Sequence, residues 1–169
     1  RRQRQMCIRD RYKPYKNKHH FENKMEVPNI HIVPLTEIDQ SIWAALWQAY
    51  QADLLEQISE NTWHKLTDSK REHIYGFAAL MAGRVVGIVY VIEHDSCWTL
   101  KPYVYLQDVF MHEDYRGLGV ATALIEHVKM HTEKRACDRV YWLTHQDNLI
   151  AQQLYNKVAK KTGFIQYRA

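Results

Sequence analysis

Three groups of residues in this chain have types and spacings that could do chemistry. The first is DYRGLGVATAL, Asp114 to Leu124, where Gly117 and Gly119 stand between a strand-like and a helix-like run. Without Cβ atoms, glycines let backbone N–H groups converge on one point. The helix behind them adds unpaired N–H donors and the positive end of its dipole. Together these make an anion cradle suited to phosphate, to which Arg116 adds charge and Thr122 a hydroxyl. A plain strand–helix turn would use the same two glycines. No Gly-Lys-Ser/Thr follows, which argues against an ATP-type loop. No third glycine follows at dinucleotide spacing, and three strands precede the turn, which argues against that fingerprint.

The second group centres on Asp108, a carboxylate inside the strand-like run YVYLQDVFM, Tyr103 to Met111. Period-two alternation places Asp108 on one face with Leu106 and Phe110, opposite Gln107 and Val109. The third group is His127 and His131, at i and i+4. They could share a metal, but no third ligand is evident, so a solvated helix face is the reading and no metal is expected. Cys97 and Cys137 lack the spacing of a zinc site and read as free thiols. His112 and His145 read as loop residues, and Trp43, Trp47 and Trp142 as core. Trp63 and Trp98 fall near expected loops, where they could line a cleft.

The elements that must position these groups follow from periodicity. NIHIVPL (Asn29–Leu35) reads as a strand, with Thr36 as cap of the next helix. That helix shows an apolar stripe at Ile38, Ile42, Trp43, Leu46, Trp47, Tyr50 and Leu54. NTWHKLTD reads as a second helix begun by Asn61 or Thr62. HIYGFAALM and RVVGIVYVIE flank Ala82-Gly83 and read as a hairpin. YVYLQDVFM is a further strand, and the helix after the glycines carries Ala121, Leu124, Ile125 and Val128 on one face. RVYWLT is a strand, NLIAQQLYNKVAKK a helix ended by Gly163, and FIQYR a last strand. Strands on both sides of the last two helices imply a parallel portion with right-handed crossovers.

Charge bears on partners only after the N-terminus is read. The chain carries 23 basic and 19 acidic residues, net +4. Residues 1–11, RRQRQMCIRDR, read back codon by codon as a transposase-type sequencing adapter, and Cys7 goes with them. Residues 12–24 have the composition of translated AT-rich DNA. Residues 1–24 are therefore expected to be a non-native extension, and 25–169 one domain opened by Met25. Nine basic and two acidic residues fall in 1–24, leaving 14 against 17 and a net charge of −3. A nucleic-acid partner is then not expected. No run approaches the ~20 apolar residues of a membrane span, so no membrane partner is expected and the cytoplasm is the expected location.

RGLGVA, Arg116 to Ala121, resembles the R/Q-x-x-G-x-G/A signature of the GCN5-related N-acetyltransferases (GNAT). It follows a strand ending Val109-Phe110-Met111, as in that family. Asn148, Ala151, Leu154 and Tyr155, followed by Gly163-Phe164, resemble the family's second cofactor motif. Within the family, YLQDVFM, VYWLTHQDN and LYNKVAKKTGFIQYR look most like the fungal histone/polyamine/D-amino-acid acetyltransferases and their bacterial relatives.

The resemblance implies an α/β (α+β) fold with a mixed, mostly antiparallel sheet flanked by about four helices. It implies acetyl-CoA as donor. Backbone donors from Arg116 through Gly117, Leu118, Gly119, Val120, Ala121 and Thr122 would hold its pyrophosphate. The strand end Val109, Phe110 and Met111 would pair with the pantetheine amides, and Asn148 would help hold that arm. Tyr155 would donate a proton to the departing thiolate; on spacing alone it reads as a core tyrosine. Related polyamine enzymes carry glutamate where this chain has Gln107, and an amide cannot take a proton. Asp108 is then left either to orient the ammonium or to accept its proton through water, unless it only hydrogen-bonds nearby backbone. Asp53, Glu56 and Glu60 lie where the family builds its acceptor wall. The expected activity is direct transfer to a primary amine, a polyamine or amino acid. The alternatives are a lysine or N-terminal acetyltransferase acting on protein, and a non-catalytic CoA-binding domain. Relatives often dimerise, which makes a homodimer a further expectation.

Overall fold

A computed structural model describes residues 29–51 and 53–169. The readings of residues 1–24 and of Met25 concern positions outside these. Ala82 and Gly83 both have positive φ, 48° and 75°, the backbone a two-residue hairpin turn requires. They join β2 (Ile74–Met81) to β3 (Arg84–His94). β1 (Ile30–Pro34) pairs antiparallel with β2, and β4 (Tyr103–Met111) antiparallel with β3. β5 (Arg139–Tyr141) runs parallel to β4, so the order is β1-β2-β3-β4-β5. Among the described residues four helices flank the sheet: α1 (Gln40–Tyr50), α2 (Glu56–Thr67), α3 (Val120–Lys134) and α4 (Leu149–Val158). This is the mixed, mostly antiparallel architecture expected.

Both faces of the sheet are covered, which explains the nearly continuous apolar run of β3. On one face Phe77, Val89, Val91, Val104 and Leu106 pack against Val120, Leu124, Ile125 and Val128 of α3. On the other, Ala78, Ile88, Tyr90 and Phe110 pack against Trp43, Leu46 and Trp47 of α1 and Leu66 of α2. Each fully buried aliphatic side chain contributes about 1.5–3 kcal/mol. Tyr90 keeps its hydroxyl satisfied inside this layer by accepting from the Trp43 indole N–H.

Local expectations fail where a tertiary constraint overrides them. Thr36 caps no helix: it lies in a 3-10 turn, Leu35–Glu37, and α1 starts only after Asp39. Leu54 falls outside α1, because the helix ends at Tyr50. α2 begins at Glu56, several residues before Asn61. There the Trp47 indole donates to Ser59 Oγ at 3.1 Å and ties the added turn to α1. β5 keeps only three residues of RVYWLT, and α4 ends at Val158 rather than near Gly163. FIQYR forms no strand; Phe164, Ile165 and Tyr167 are exposed. A three-residue β5 offers that segment no edge long enough to extend the sheet.

The consequential departure is in β4. Tyr90 of β3 pairs with Asp108 and Val91 with Leu106, so Gln107 is an extra, unpaired residue. This bulge breaks the expected alternation. Leu106 packs toward α3 and Phe110 toward α1, so Asp108 does not share a face with Leu106. It shares one with Phe110, and Val109 and Met111 turn toward α3.

Candidate active site

β4 and β5 pair only over Tyr103–Tyr105 and Arg139–Tyr141. β4 then continues to Met111 with β3 on one side and, among the described residues, no strand on the other. The backbone of Val109–Met111 therefore offers an open edge that an extended amide-bearing ligand can pair with. This edge leads directly to the glycine turn. His112 joins it to a 3-10 turn at Glu113–Tyr115, and Arg116 to Gly119 follow, all exposed.

The turn has the geometry an anion cradle needs. Gly117 and Gly119 have φ of 78° and 85°, the left-handed region, and a Cβ added to either would meet nothing within 4 Å. Gly119 is the N-cap of α3, and its carbonyl accepts from Ala123 N–H at 3.0 Å. Among the described residues, no protein group accepts from the amides of residues 117–122. Val120 and Ala121 are buried and anchor the helix start against the sheet, while Thr122 is half-buried. Unpaired amides, a dipole end and open space together fit an anionic group such as a diphosphate.

Asp108 lies at the other end of the open edge. Its carboxylate accepts from the Tyr50 hydroxyl at 2.8 Å on Oδ1 and from Gln107 Nε2 at 3.1 Å on Oδ2. Its partners are thus side chains, not the backbone. Burial pushes its pKa up, and the bonds from Tyr50 and Gln107 oppose that rise. Tyr90 and Tyr105 also feel its charge. Among the described residues no Lys or Arg acts on it, so this is a half-buried carboxylate supported by neutral donors.

Tyr155, on α4, packs edge-on against Trp142 with ring centroids 5.4 Å apart. Its ring adjoins the α3-side core. Burial raises its pKa, so it stays a protonated donor. Asn148 caps α4: its Oδ1 accepts from Ala151 N–H at 3.2 Å.

The remaining candidates have other places. His127 and His131 pack against Phe77 at 4.5 and 5.0 Å, and burial lowers both pKa values. Among the described residues, no three His, Cys, Asp or Glu are grouped to hold a metal. His112 and His145 accept from the amides of Asp114 and Asp147 in their own loops. Trp63 joins the core against Trp43 at 5.1 Å rather than a loop, and Trp98 is exposed on the β3–β4 connection. Asp53, Glu56 and Glu60 are exposed around the α1–α2 connection. No described helix is long and apolar enough to cross a membrane.

Tyr50 is the functional-site residue that sequence reasoning missed, because it sits on an apolar stripe. The available signal was its hydroxyl: a tyrosine buried on such a stripe usually has a hydrogen-bond partner.

Comparison with known proteins agrees with this geometry. The model of the Acetyltransferase (GNAT) family matches residues 33–159. A D-amino-acid N-acetyltransferase, HPA3 of Saccharomyces cerevisiae, is 28% identical over 151 residues, 86% of this chain and 93% of that protein. Among solved structures, the aminoglycoside N-acetyltransferase AAC(6')-Iy in complex with CoA matches with a TM-score of 0.75 at 19% identity, over 86% of this chain and 97% of its own. A ribosomal-protein-alanine N-acetyltransferase from Brucella melitensis biovar Abortus matches at 0.69 and 20%, over 83% and 98%.

Proposed function

Because the chain belongs to the acetyltransferase (GNAT) family and is an N-acetyltransferase of that type, we propose that it moves an acetyl group from acetyl-CoA directly to the primary amine of a small molecule, a polyamine or an amino acid. The observation that carries the acceptor class is Asp108. A half-buried carboxylate with no Lys or Arg acting on it among the described residues is costly, and an ammonium arriving with the substrate would supply a compensating charge. The relative from yeast, named for D-amino acids, supports including both enantiomers of amino acids among the acceptors.

The amides of residues 117–122 and Arg116 would hold the pyrophosphate of acetyl-CoA, and the open edge at Val109–Met111 its pantetheine arm. Asn148 would steady that arm from the start of α4 while its Oδ1 caps the helix. The bound thioester supplies the activated acyl group. An amine with a pKa near 10.4 must lose a proton at a cost of roughly 4–5 kcal/mol at pH 7. Asp108 orients the ammonium and takes that proton through water. Tyr155 returns a proton to the departing sulfur. Neither motif contains a cysteine, which supports direct transfer over an acetylated enzyme.

The test is thiol release from acetyl-CoA with spermidine, both enantiomers of several amino acids, and a lysine peptide as acceptors. Turnover of a small amine, strongly reduced in Asp108→Asn, is the expected result. Turnover of the peptide alone would move the acceptor class to protein. CoA binding with no turnover on any acceptor would overturn the reading.

A further inference from the structure

Tyr50 joins the end of α1 to the carboxylate at the β4 bulge, 58 residues away in sequence. Its ring is fixed between Phe110, at 5.0 Å, and Trp47, at 5.8 Å. Its hydroxyl has little freedom, and Oδ1 of Asp108 is its hydrogen-bond acceptor at 2.8 Å. Burial and the Asp108 charge hold the phenol well above its ordinary range, so it donates and does not release its proton. Held by its ring contacts and this bond, it sets the plane of the carboxylate.

The bulge makes that role necessary. Gln107 is the unpaired residue of the bulge, directly beside Asp108, and it is exposed. The 3.1 Å bond from Gln107 comes from a neighbour on the same irregular segment and cannot orient Asp108 against the rest of the fold. Tyr50 can, because α1 is packed on the sheet through Trp43, Leu46 and Trp47. The titratable groups that interact with this carboxylate are Tyr50 from α1, Tyr90 from β3 and Tyr105 from β4. None of them is a cation.

We propose that Tyr50 is a positioning residue of the transfer reaction, fixing the Asp108 carboxylate so that its remaining lone pairs meet the acceptor ammonium. Tyr50 is also the last residue of α1, directly before the connection to α2. This inference rests on the acetyl-transfer reading above and adds to it a residue acting through Asp108.

The experiment is a double-mutant cycle with Tyr50→Phe and Asp108→Asn, read as kcat/KM for spermidine and for a D-amino acid across pH. Tyr50→Phe keeps the ring and removes the donor. The lost bond favours the ionised carboxylate, so its removal raises the Asp108 pKa, and the carboxylate ionises only at higher pH. A loss of about ten-fold in kcat/KM is expected at the acid end, shrinking toward alkaline pH, with CoA affinity and melting temperature little changed. In the Asp108→Asn background Tyr50→Phe should add almost nothing, because the group it acts through is gone. An unchanged kcat/KM in Tyr50→Phe, or undiminished loss in the Asn background, would show that Tyr50 does not act through Asp108 and overturn the proposal. Absence of turnover by the unaltered protein would instead overturn the acetyl-transfer reading beneath it, so the two failures are distinguishable.

Discussion

Gly119 tests the cradle most directly. It sits at φ 85° and ψ 1° as the N-cap of α3, and the direction of a Cβ there is open. Replacement by any L residue costs about 1–2 kcal/mol of left-handed strain without a clash. In a domain of this size that strain lowers Tm by about 2–8 °C. Charge is the separable quantity. A carboxylate within about 4 Å of a phosphate charge costs about 4 kcal/mol at an effective dielectric near 20, or about three decades in Kd. The series is therefore Gly119→Ala, Gly119→Gln and Gly119→Glu, with Gly83→Gln as control. Gly83 has φ 75° and equally open space, but lies in the β2–β3 turn. Isothermal calorimetry with CoA is the assay. All four variants should lose similar stability. Gly83→Gln should bind CoA as the unaltered protein does, and Gly119→Gln should bind within about ten-fold of it. Gly119→Glu should bind about a thousand-fold more weakly, with part of the loss recovered at high salt as screening rises. Equal CoA affinity for the Gln and Glu variants at Gly119 would refute the assignment of these amides to a diphosphate.

Further perturbations have equally definite outcomes. Tyr155→Phe should lower kcat by about a hundred-fold and leave the CoA Kd unchanged; an undiminished kcat would remove the proton-donor role. Arg135 binds the buried Glu93 through two bonds, at 2.6 and 3.0 Å, with Tyr75 donating to the same carboxylate at 2.7 Å. Arg135→Ala should cost about 3 kcal/mol by leaving that charge without its cation, seen as a lowered denaturation midpoint with normal CoA binding. At Gly76 a Cβ would stand 2.6 Å from the carbonyl oxygen of Val89 and 2.5 Å from Leu35 Cδ1. Gly76→Ala should therefore destabilise by about 1–3 kcal/mol, and thermal melts showing no change would contradict the packing described.

Local chemistry was enough to read much of this protein from its residues. Ala82-Gly83 between two β-rich runs specified the hairpin, and the bounds of β4 followed from its composition. The face of α3 at Leu124, Ile125 and Val128 was visible in its spacing. The two glycines announced an N-terminus with free amides, because a turn without Cβ atoms is a local property. Other features depended on contacts between residues far apart. The bulge at Gln107 follows from the register against β3, and it reversed the face assigned to half of β4. α2 gained a turn because Trp47 reaches Ser59. FIQYR stayed out of the sheet because β5 ends after three residues. The bond between Tyr50 and Asp108 exists only once α1 lies on β4, so period and propensity could show Tyr50 as one more apolar position and nothing else. Sequence alone determined which segments can be strands, helices and an anion-binding turn, since those depend on neighbours along the chain. Tertiary structure decided which way the Asp108 carboxylate points and which phenol holds it, because pairing register and helix packing are set by the whole chain.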